Sequence, residues 1–209
     1  MPTYLALSVL GFLVIVLNVI EQSRARALVS DTGPIQQLTA MVLFAGCLMC
    51  LERVLRKIPP VFKWAELSYL LLIYTMREMD FHRLFTEEHL TRTDFYLGPY
   101  PLYQKLIAVP IVLLAIIAAL HFLLSNARFF FEQLMKKQSW AIHVVAWAVL
   151  LFGAQMLEKT PWRGLFLQIV VEEAMELAAA IMIFLILTKY PISKSLISGD
   201  AQPVADESE

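Results

Sequence analysis

The chain has 209 residues, of which 59% are hydrophobic and only 17% charged, against about 25% charged in soluble domains. Its mean hydropathy is +0.65, its pI about 6.4 and its net charge -1. A nucleic-acid surface would need clustered Lys and Arg, so that class is excluded, and the composition describes a polytopic protein of the lipid bilayer.

Apolar runs of roughly 20 residues are long enough to cross a bilayer as helices. The first, Tyr4 to Ile20, has no Lys or Arg before it and is longer than a signal core, so it reads as a retained span. Ile35 to Leu51 follows, with Pro34 in the first helical turn behind Asp31, Thr32 and Gly33. Cys47 and Cys50 lie near its end. Pro59 and Pro60 separate it from Val61 to Met79, a run that holds Lys63, Glu66, Ser68, Tyr69, Tyr74 and Thr75. A span this polar must face other helices instead of lipid. On a helix carried through residue 82, Glu78 and His82 stack on one side at four-residue spacing. Asp80 then points nearly opposite, where Arg77 and Arg83 pair with it as structural ion pairs.

Phe85 to Tyr103 reads as a solvated loop with aromatic residues at the interface, a lid over Glu78 and His82 being the sharper alternative. The fourth run, Leu102 to Leu124, contains Pro110, expected to kink it, and His121 near its end. Arg128 to Lys137 reads as a short interfacial segment whose basic residues touch anionic lipid heads. The fifth run, Trp140 to Leu157, bears His143 near its start. The sixth, Gly164 to Leu187, follows Pro161 and places Glu172, Glu173 and Glu176 in its middle. Each ionised carboxylate there costs roughly 2.5 to 3.5 kcal/mol on insertion scales. The predicted fold is therefore all-α, a polytopic membrane helix bundle of about six transmembrane helices over residues 1–190. Residues 191–209 are expected to be a disordered acidic tail. With Arg77 and Arg83 assigned to a buried site, the remaining Lys and Arg favour both termini on the cytoplasmic side of the inner (plasma) membrane.

In that topology the end of the third span and the first half of the sixth share a leaflet. Glu78, His82, Glu172 and Glu176 are then expected to meet as three carboxylates and an imidazole. This donor set suits a divalent Zn, Mn or Fe ion, with Glu173 and Glu78 as the acid-base groups of catalysis. The same residues would serve equally as a buried network of Glu residues paired with Arg, or as a proton or cation path. A fainter set joins Cys47, Cys50, His121 and His143, which match zinc donors by type, or a haem through the two His. Its ordinary reading is apolar thiols and backbone-bonded imidazoles, so Cys47 and Cys50 are expected to be reduced and metal-free. Intramembrane CAAX-type proteases share the Glu172-Glu173 pair, but they carry Arg where this chain has Leu177, and no His follows. The chain does not fit that family.

The expected function is a metal-dependent membrane enzyme acting on a lipid or lipid-linked substrate. A proton- or cation-coupled transporter and an accessory subunit with a structural ion network are the alternatives. The expected partners are the bilayer and a lipid or small-molecule substrate; the sequence names no protein partner.

Overall fold

A computed structural model describes residues 2–19, 33–81, 93–158 and 166–189, which hold seven helices and no strand. They are α1 (Pro2–Val19), α2 (Pro34–Leu55), α3 (Val61–Glu78), α4 (Thr93–Leu97), α5 (Leu102–Met135), α6 (Ser139–Glu158) and α7 (Phe166–Lys189). The long helices coincide with the six apolar runs. Three of them, α2, α5 and α6, are long and apolar enough to cross a membrane, and α1 is a shorter apolar helix. By length and composition alone, membrane-spanning character therefore holds for three of the six runs. The predicted tail at 191–209 lies outside the described residues.

The helix that carries three glutamates, α7, sits at the centre. Val170, Ala174, Ala178, Ala179 and Met182 of α7 are fully buried, and α7 packs against α1, α2 and α6. A run of small side chains lets those neighbours approach closely, which is how helices associate where lipid makes apolar burial worth little. On one side Ala180, Ile183 and Leu187 meet Leu43, Cys47 and Cys50 of α2 and Trp64 and Leu71 of α3. Gly46 lies in that layer, where a Cβ would make ordinary contact with Leu71 and Leu187 at 3.5 Å. On the other side Ala178, Ala179, Met182 and Ile186 meet Ala6 of α1 and Leu150 of α6.

The same contacts set helix direction. Ala6 lies beside Met182 and Ile186, whereas Leu13 lies beside Val170 and Leu177, so α1 begins where α7 ends. Arg53, near the end of α2, donates to the Leu187 carbonyl at 2.9 Å. That carbonyl is among the last four of α7, which have no partner within their own helix. The Arg53 guanidinium also stacks 4.1 Å over the Trp64 ring at the start of α3. One level of the bundle thus collects the ends of α2 and α7 and the starts of α1 and α3.

Two predicted elements are revised. First, α3 stops at Glu78: Asp80 takes φ 50°, and its N–H bonds the Arg77 carbonyl at 3.0 Å. The backbone turns there, so helical spacing neither stacks Glu78 with His82 nor sets Asp80 against Arg77 and Arg83. His82 and Arg83 lie outside the described residues. Second, Arg128 to Lys137 is not a separate segment, because α5 runs as one 34-residue helix through Pro110 to Met135. The predicted loop at 85–103 also contains the short α4. There Phe95 is fully buried, and Lys105 donates to the carbonyls of Tyr96 at 2.9 Å and Gly98 at 2.8 Å.

Both α2 and α5 end in the same way. Lys57 and Lys137 each adopt φ 54°. Ile58 N–H bonds the Arg53 carbonyl at 2.9 Å and Gln138 N–H bonds that of Gln133 at 3.0 Å. This is the six-to-one closure in which Gly is the favoured left-handed residue. Replacing Lys57 or Lys137 by Gly relieves the left-handed strain and is expected to stabilise the purified protein by about 0.5–1 kcal/mol each. Thermal unfolding in detergent checks this; a lower melting temperature for both variants would count against these end structures.

Candidate functional site

The polar centre lies where the end of α3 meets α6 and the middle of α7. Arg77 in the last turn of α3 places Nη2 3.9 Å from Glu176 Oε1, a contact of charges that is too long for a hydrogen bond. Gln155 of α6, with its amide oxygen turned to the guanidinium, accepts from Nη2 at 2.8 Å and Nη1 at 3.3 Å. The Tyr74 ring lies 5.5 Å from the guanidinium carbon. Glu176 is buried and Arg77 is 44% exposed, so the network runs from the core outward. Nearby, the Gln168 amide donates to the Leu157 carbonyl, tying the start of α7 to the end of α6.

Arg77 and Glu176 thus bring the end of α3 to the middle of α7. Glu78 is buried, Glu172 and Glu173 are half-buried, and all three have interaction partners. Among the described residues, no group of three or more His, Cys, Asp or Glu side chains could hold a metal ion. His82, one of the four expected donors, lies outside the described residues.

A second junction, at the opposite end of α3, escaped the reading of the sequence. His121 Nδ1 of α5 lies 2.5 Å from Glu66 Oε1, with Glu66 buried and the imidazole 52% exposed. Phe62 meets the imidazole edge-on at 5.6 Å. One turn earlier, Lys63 Nζ donates to Asn126 Oδ1 at 2.6 Å, and further along the Tyr69 hydroxyl donates to the Ile111 carbonyl at 2.9 Å. Lys63, Glu66 and Tyr69 fall at three-residue steps on one face of α3. That stripe was the available signal; the partner helix was not.

The second expected constellation does not assemble. His121 is engaged by Glu66, and His143 Nδ1 faces the Ser139 carbonyl of its own helix. Cys47 Sγ lies 3.4 Å from Ser68 Oγ, which also bonds the Cys47 carbonyl at 3.2 Å. Cys47 and Cys50 are free thiols buried in the α2–α3–α7 layer.

Comparison with known protein families, with characterised proteins and with solved structures yields no match.

The Glu66–His121 contact makes a definite prediction. Replacing His121 by Leu leaves a buried carboxylate without its partner, an expected loss of about 1–3 kcal/mol given the half-exposed imidazole. Adding Glu66→Leu removes the orphaned charge and should restore most of the loss. Equal melting temperatures for wild type and the His121→Leu variant would show that the contact carries no stability.

Proposed function

We propose that the protein is a six-span inner-membrane protein, both termini cytoplasmic, whose buried charges form a structural ion network, and that it serves as an accessory subunit of a membrane complex. The observation that carries this reading is Arg77 set against Glu176 and Gln155. A guanidinium beside Glu176 is a cation already in place, and a divalent ion on the same carboxylate would meet like charge. Glu78 and Glu176 are buried, which favours a scaffold over a site that admits substrate.

The topology is supported by helix direction, since α1 begins at the level where α7 ends. It is supported also by Arg53, Arg56, Lys57, Lys63, Lys136 and Lys137, which fall at the ends of helices on one side.

Glu176→Gln should remove the Glu176 charge from beside Arg77 and lower stability by about 1–2 kcal/mol, a figure reduced for the exposure of Arg77. The double variant Arg77→Gln, Glu176→Gln should recover most of this. Thermal unfolding of both, with elemental analysis and native sizing of protein drawn gently from its own membrane, decides the matter. The expected result is this stability pattern in an assembly larger than one chain. A stoichiometric metal that disappears with Glu176→Gln, in a protein that runs as a monomer, would overturn the reading.

A further inference from the structure

We propose that the corner between α5 and α6 binds an anionic phospholipid, its phosphate held by Arg128 and Lys136 and an acyl chain laid along Phe131 and Met135. A straight helix of 34 residues rises about 51 Å, whereas the hydrocarbon core is about 30 Å thick. The last turns of α5 therefore lie at or beyond the headgroups. Their depth is marked by Trp140 of α6, whose ring stacks on Phe129 at 5.9 Å and meets Phe130 edge-on at 6.0 Å. Aromatic side chains collect at the membrane interface, and Arg128 is the residue before Phe129.

The surface at that level is formed for a phosphate with a chain attached. Arg128, Phe131, Glu132, Met135 and Lys136 share one open, shallow face at the end of α5. The Arg128 side chain is 94% exposed and its Nε donates to Glu132 Oε1 at 3.1 Å. That bond orients the guanidinium plane, and among the described residues its two terminal amino groups have no acceptor. A planar fork with two outward donors matches a phosphate. Lys136, one turn past Glu132, adds a second cation at the helix end. Phe131 at 62% and Met135 at 83% exposure offer apolar surface beside the charges. A free anion would leave this apolar strip unused; a phospholipid uses both parts. Lys137 and, at the end of α2, Arg56 and Lys57 raise the positive potential on the same side.

The site is tested on the purified full chain by native mass spectrometry and thermal shift, with phosphatidylglycerol or phosphatidylcholine added to the detergent. Wild type should retain phosphatidylglycerol in preference to phosphatidylcholine and melt higher in its presence. Arg128→Gln, Lys136→Gln should bind it roughly thirtyfold more weakly. Glu132→Gln removes a like charge from that face and should retain the lipid a few-fold more strongly than wild type. Both substitutions change exposed side chains, and their own melting temperatures show that the fold is kept. Equal retention of phosphatidylcholine, unchanged binding in the double variant, weaker binding in Glu132→Gln, or displacement by equimolar inorganic phosphate would each overturn the proposal. None of these outcomes depends on the Arg77–Glu176 network.

Discussion

Glu176 of α7 is buried among helices, away from water, so its charge has to be matched within the protein, and that constraint orders the bundle. Placing α7 at the centre gives its carboxylates other helices for surroundings. A helix carrying three glutamates thereby becomes the hub, while α1, α2 and α6 pack around it. Ala174, Ala178, Ala179 and Ala180 make this geometry attainable, because small side chains bring neighbouring backbones close enough for packing contacts to accumulate.

The most polar of the long helices, α3, works as a connector between this centre and α5. At its end Arg77 reaches Glu176 and Gln155. Along its first half, Lys63, Glu66 and Tyr69 hold α5 through Asn126, His121 and the Ile111 carbonyl. In α5 the buried residues are Ala108 and Ala118, so apolar contact contributes little to its attachment. Exchanging lipid contacts for protein contacts gains an apolar side chain almost nothing, whereas a polar pair that would otherwise face hydrocarbon gains from being made. The polar stripe of α3 is thus what keeps the longest helix in place.

Helix ends obey the same demand. The Leu187 carbonyl, left over at the end of α7, is taken by Arg53, whose charge is in turn spread over the Trp64 ring. The left-handed Lys57 and Lys137 close the last turns of α2 and α5 and bring positive charge to the negative end of each helix dipole.

Much of this was legible in the residues. Apolar run length located the six long helices, Pro34 marked a helix start, and the polar content of Val61 to Met79 required that helix to face protein. Glu176 inside an apolar run needed a partner, and pairing with Arg was one of the readings. These are local properties, set by the length, periodicity and solvation of one segment at a time. Which helix receives the Glu66 face, and that His121 leaves Cys47 and Cys50 to meet it, depends on how α5 lies across α3. Helical spacing relates residues on one helix and says nothing of its neighbour. The stop at Glu78 belongs to the same class, since Asp80 enters a left-handed turn that no apolar pattern records. Sequence by itself determined where the helices are and which charges needed company; only the tertiary structure decided which charges meet, because pairing is settled by packing between helices far apart in the chain.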